Sequence, residues 1–220
     1  DVELICWLAE SCVRTEGLAA LAAVLSAAKT LFLTNIQLLH PSSETDAPIE
    51  RISALAGLNG SQDSDGTLVR PLYLTPLAPD QIYGRVCLWH YNRAARAKDS
   101  AALGAMREVF TTANTDDLYK LRLAASECLA DISVIDSYLT EVYKSEAPSF
   151  RRLREIFQEI NTAYAELAMN VNFPAAGEAP APSESAAASG HSASAPSASL
   201  STSAVNDREQ AFQSLLQVAA

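Results

Sequence analysis

From about Asn172 to Asn206 the sequence is almost wholly Ala, Ser and Pro, with hardly a large apolar side chain. Such a stretch cannot bury enough surface to offset the entropy of ordering it. It reads as a disordered linker, and it confines a packed front domain to residues 1–171. A flexible segment of this length has an r.m.s. span of roughly 30–35 Å. Beyond it, Ala211, Phe212, Leu215, Leu216 and Val218 restore helical spacing from Asp207 to Ala220, with Asn206 as a candidate cap. A lone helix this short is marginal in water. Residues 207–220 therefore read as the start of a second helical domain.

Within 1–171 the apolar periods are helical. Leu4, Trp7, Leu8, Ser11 and Cys12 share one helical face, and Glu16 and Gly17 close that helix. A second helix is expected from Leu18 to about Leu39. Leu18, Leu21, Leu25, Ala28, Phe32 and Leu39 form its main stripe, and Val24, Leu31 and Leu38 make it apolar on another side. Such a helix is central to its domain, and His40-Pro41 ends it. Farther on, Leu118, Leu121, Ala125, Cys128, Ile132, Ile135, Leu139 and Val142 alternate steps of three and four. After a turn at Lys144 to Pro148, Phe150, Leu153, Phe157, Ile160, Tyr164, Leu167 and Val171 do the same. Two heptad-like helices joined by a short loop pack antiparallel. The expected fold is all-α, a multi-helix bundle of antiparallel helical hairpins. Trp7, Leu21, Leu25, Phe32, Leu121, Ile132, Leu139, Phe157 and Ile160 are its expected core.

Between the hairpins the signals are weaker. Ser42 to Ala47 is a polar loop, Pro48 suits a first helical position, and Ile49, Ile52, Leu55 and Ala56 make a short helix ending at Gly57 to Gly60. Ser61 to Gly66 is a polar loop. Thr67 to Leu77 is apolar but holds Arg70, Pro71 and Pro76, and fits either a short helix with Pro71 in its first turn or an extended segment. Ile82 to Leu88 fits a short strand or a helix lead-in. Helices are expected over Cys87 to Ala97 and over Ser100 to Phe110, the latter capped by Asp99. Thr115 is the expected cap of the next helix, with Asp116 and Asp117 against its dipole.

The composition limits function. With 26 acidic and 16 basic side chains the net charge is −10, which disfavours phosphate backbones and anionic membrane surfaces. Lys29, Asn35 and Gln37 interrupt the apolar run of the second helix, so no membrane insertion is expected, and no signal peptide is evident. Cys6, Cys12, Cys87 and Cys128 lack paired spacing and read as reduced, buried thiols of a cytoplasmic protein. Cys87 and His90 have metal-like spacing, but no second Cys/His pair completes four ligands. Asp63, Asp65 and Gly66 resemble half a calcium loop whose closing Glu is replaced by Leu72. His40 sits at a helix end and His191 in the linker, leaving His90 without an evident nucleophile. No catalytic, cofactor or metal residues are assigned, and no cofactor or nucleic-acid partner is expected. An enzyme reading is not favoured.

Several pieces together resemble one family, the TssA proteins of bacterial type VI secretion, which carry the ImpA N-terminal domain. They are Asp1 to Glu10 with Trp7, then Glu16, Gly17 and Leu18 and the long helix to His40-Pro41; Glu50 to Leu55 running into Leu58, Asn59 and Gly60; Leu68 to Leu77; Ala147 to Phe150 with Leu153; and Asp207 to Phe212 with Leu215. The family's domain normally begins several dozen residues earlier, and its middle domain extends past the stretch that opens at Asp207. The chain is thus expected to be a fragment of a longer protein. The resemblance implies a cytoplasmic, non-enzymatic assembly component that engages baseplate and tail tube and sheath proteins. It also implies a homo-oligomer formed through a C-terminal region outside this sequence. The alternative is a generic helical adaptor or regulatory domain; it would be supported by a repeat near 34 residues, which is not found.

Overall fold

The first residue sets the start of the first helix. The Asp1 side chain accepts the Glu3 N–H at 2.9 Å and caps α1, Val2–Thr15. In the computed structural model, which describes residues 1–40, 50–60 and 65–173, α1 is followed by α2, Leu18–Asn35. Gly17, at φ 82°, makes the corner between them, and its N–H and that of Glu16 both return to the Cys12 carbonyl. At the far end the Val2 N–H donates to the His40 carbonyl at 3.0 Å, so the two helices run antiparallel. The second helix is shorter than its apolar run. After Asn35 the backbone tightens into a 3₁₀ turn, Ile36–Leu38.

The remaining helices are α3, Ser53–Asn59; α4, Val69–Leu74; α5, Leu88–Ala97; α6, Ser100–Thr112; α7, Thr115–Tyr143; and α8, Arg151–Leu167. Among the described residues there is no strand, only isolated bridges between Gly60 and Asp65 and between Pro76 and Cys87. The ambiguous stretches thus divide. Val69–Leu74 is helical with Pro71 near its start, where its missing N–H costs nothing. Pro76–Leu77 and Val86–Cys87 instead pair as extended chain, the Leu77 N–H donating to the Val86 carbonyl at 3.0 Å. Asp99 caps α6 as expected, accepting the Ala102 N–H. The cap of α7 is Asn114 rather than Thr115; its side chain accepts from both Asp116 and Asp117.

The long helix α7 lies between α2 and α8, with α1 packed on α2. α3 and α4 each touch both α1 and α8 and close the ring; α5 and α6 pack on the outer flank of α8. The pairing of α7 with α8 is antiparallel, since Asp136 meets the start of α8 at the Phe150 N–H while Ser126 meets Asn161 farther along it. Lys29 of α2 forms an ion pair with Asp131 of α7 inside the bundle. α2 with its 3₁₀ turn is, among the described residues, the one helix long and apolar enough to cross a membrane. Here Leu18, Leu21, Ala22, Leu25, Ala28 and Phe32 face the bundle core.

Most of the expected core is buried: Leu21, Leu25, Phe32, Ile132, Leu139, Phe157 and Ile160. Leu121 is only partly buried, and Val142 is exposed although Leu139 and Tyr143 beside it on α7 are buried. Trp7 is a clear departure. It is 60% exposed, as Leu4 and Leu8 are nearly, because α1 turns Val2, Cys6, Ala9 and Val13 inward instead. The expected loop at 42–47, the helix start at Pro48, Asp63, the body of the 172–206 linker and the helix at 207–220 lie outside the described residues.

Candidate interaction cleft

Three short amphipathic faces converge on one side of the bundle. In α4, Val69 and Leu72 are buried, which leaves Arg70 and Tyr73 on the outer side. In α5, Leu88, Tyr91 and Ala94 are buried, which turns Trp89, Asn92, Arg93 and Arg96 outward. In α8, Leu153, Ile156, Phe157 and Ile160 are buried, and Arg152 and Glu159 lie on the outer side. Two adjoining hollows result. One, of about 480 Å³, is bordered by Asp65, Arg70, Gly84 and His90. The other, of about 640 Å³, is bordered by Asn92, Arg93 and Arg96. Tyr73, Trp89 and Arg152 belong to both and form the ridge between them.

Backbone packing holds the α4 wall in place. The segment entering α4 crosses the end of α3, with the Thr67 N–H on the Gly57 carbonyl at 2.9 Å and the Leu68 N–H on the Leu58 carbonyl at 3.3 Å. Gly66 lies so close to the Leu58–Gly60 backbone that a Cβ would overlap the Leu58 carbonyl oxygen. The same region anchors α8. Its N-cap residue, Phe150, has no capping side chain; Ser149 accepts the Arg151 N–H at 3.3 Å, and Asn59 reaches from α3 to accept the Leu153 N–H at 3.0 Å.

Polar contacts fix the floor. Glu159 accepts from Asn92 at 2.7 Å and from the Tyr73 hydroxyl at 3.4 Å, and Arg152 donates to the Tyr73 oxygen at 3.1 Å. Burial, reinforced by the Glu159 charge, raises the Tyr73 pKa, so this hydroxyl stays protonated. Arg93 stacks over Trp89, its guanidinium carbon 5.5 Å from the ring centroid, and Trp89 meets His90 edge-on. Arg152 also reaches Glu155 at 3.7 Å. By contrast Arg70, Arg85, Arg93 and Arg96 are exposed and have no ion-pair partner among the described residues. The other exposed or half-exposed cations near α8 are matched, Arg107 to Glu166, Arg151 to Glu155 and Arg154 to Asp136.

Of the residues singled out in the sequence, His90 and Asp65 border this cleft. Cys87 Sγ and His90 Nδ1 are 3.2 Å apart across one helical turn, and burial raises the Cys87 pKa, away from thiolate character. Among the described residues no three His, Cys, Asp or Glu side chains cluster closely enough to hold a metal. Asp65 borders the cleft, while Leu72 is buried in the core. Sequence reasoning passed over the arginines. The signal was present as two local basic runs, Arg93 to Lys98 and Arg151 to Arg154, in an otherwise acidic chain.

The cleft residues come from positions 65–152. No curated protein and no solved structure matches the chain. A protein-family model does match at the front, over residues 1–60, the segment that holds α1, α2 and α3. That family is described as ImpA, N-terminal, type VI secretion system, so the first 60 residues are similar to an ImpA N-terminal segment, which indicates a type VI secretion-associated protein.

Proposed function

We propose that this protein is a non-enzymatic, cytoplasmic assembly component of the type VI secretion apparatus, acting through contacts with its baseplate and tail tube and sheath proteins. The family match over residues 1–60 carries the reading. Its physical support is the character of the surface. The open cleft is built largely from Trp, Tyr and Arg, side chains that dominate protein interfaces. In this reading residues 1–171 are the partner-binding domain, 172–206 is a tether and 207–220 opens a second helical domain. Self-assembly belongs to a C-terminal region of the parent protein, and the tether raises the local concentration of each front domain near that assembly.

The test is made in the secreting bacterium. Deleting residues 1–171 from the parent protein is expected to stop release of the tube protein and to abolish assembled sheaths, with the truncated protein still present by immunoblot. Normal secretion by a stable truncated protein would sink the reading. Scrambling residues 172–206 is expected to preserve secretion, whereas cutting them to a few residues is expected to impair it, because a tether acts through its length. The opposite pattern would make that segment a recognition motif.

A further inference from the structure

The cleft between α4, α5 and α8 concentrates positive charge on a chain of net charge −10. Four arginines reach or border it, Arg70, Arg93, Arg96 and Arg152. Their local counter-charges are few. Asp65 stands at one end, Glu159 is occupied by Asn92 and Tyr73, and Glu155 is shared between Arg151 and Arg152. Folding has therefore left three guanidinium groups, those of Arg70, Arg93 and Arg96, without described carboxylate partners on one open face, beside a Trp that is 46% exposed.

We propose that this cleft docks an acidic peptide segment of a partner protein, with carboxylates on Arg70, Arg93 and Arg96 and an apolar side chain against Trp89. The inference deepens the interaction reading above and rests on it for its biological meaning. The two hollows on either side of the Tyr73–Arg152 ridge suit an extended chain, which presents side chains to alternate sides. Guanidinium groups bind carboxylates through paired N–H donors, and a planar Trp adds apolar area at small entropic cost. A nucleic-acid strand is the poorer match, because a long run of phosphates must also pass the acidic remainder of the surface, whereas a short peptide meets only the cleft. The chain's own residues 174–220 are a poorer match too, since they carry only isolated acids, Glu178, Glu184, Asp207 and Glu209.

The experiment is fluorescence anisotropy on the full 220-residue chain, using a labelled peptide of alternating Asp and Glu around one Phe. Saturable binding that weakens as salt is raised is expected, with affinity lost by about tenfold or more in the R93E/R96E double variant. A control variant, R14E/K120E, carries the same charge change away from the cleft and is expected to bind as the wild type does. Melting curves confirm that both variants fold. Equal binding by R93E/R96E and wild type overturns the proposal. So does preferential binding of a single-stranded oligonucleotide, or displacement of the probe by a 174–220 peptide at matching concentration. Because the assay contains no other secretion component, its failure leaves the deletion result untouched, and failure of the deletion leaves the binding result standing.

Discussion

The hairpin of α1 and α2 and the hairpin of α7 and α8 look alike in sequence, yet they use their apolar residues differently. In α8 every large apolar residue from Leu153 to Leu167 on the three-four spacing is buried, and α7 buries Leu118, Cys128, Ile132, Ile135 and Leu139 in the same core. In α1 the large residues Leu4, Trp7 and Leu8 face outward, and the smaller Val2, Cys6, Ala9 and Val13 line the contact. Both stripes of α1 have legitimate helical spacing. The difference teaches that residue size does not choose the buried face when a helix carries two stripes. The neighbours choose it. α1 is enclosed by α2, α3 and α4, and small side chains let these backbones approach closely.

The contrast can be broken most directly by truncation in the α7–α8 seam. Phe157→Ala is expected to cost about 3–5 kcal/mol in urea melts, because Phe157 is fully buried and the site cannot collapse completely. A loss below about 1 kcal/mol would show that this seam is not the rigid one. Next comes the tie between the hairpins. Lys29→Met leaves the Asp131 carboxylate, only 10% exposed, without its partner, and about 3 kcal/mol is expected to be lost. Adding Asp131→Leu should recover most of it; failure to recover would mean that packing rather than charge was removed.

The α8 cap sharpens the comparison further, since it is borrowed from α3. Asn59→Ala is expected to cost about 1–2 kcal/mol, and Asn59→Asp to cost less, because the carboxylate still accepts the Leu153 N–H. The thiols of α1 then report its inner face. Burial, with Glu3 adding to it, pushes the Cys6 pKa up to about 11. The folded state thus favours the protonated thiol. That contribution to stability is complete below the ordinary thiol range and is lost as pH rises through about 11. Alkylation at pH 8 should modify Cys12 well before Cys6, and peptide mass mapping reads the order. The smallest effect is expected at the residue that dominates the sequence of α1: Trp7→Ala should change stability by less than about 1 kcal/mol, since the side chain is already 60% exposed. A loss near that of Phe157→Ala would restore Trp7 to the core and reverse the comparison.

The sequence by itself determined that the front of the chain is helical, where most of its helices start and stop, and which residues α2 and α8 bury. These follow from local chemistry: periodic apolar spacing, the Gly17 corner, the Asp99 cap and the acidic first turn of α7. It also carried the family likeness, which a family model matches over residues 1–60. Only the tertiary structure decided which stripe of α1 turns inward, that Asn59 caps a helix 94 residues away, and that arginines from α4, α5 and α8 share one cleft. None of these can be read from spacing along the chain. Each depends on which helices lie side by side, and that is set by the summed packing of α2, α7 and α8, not by the residues that come to form the cleft.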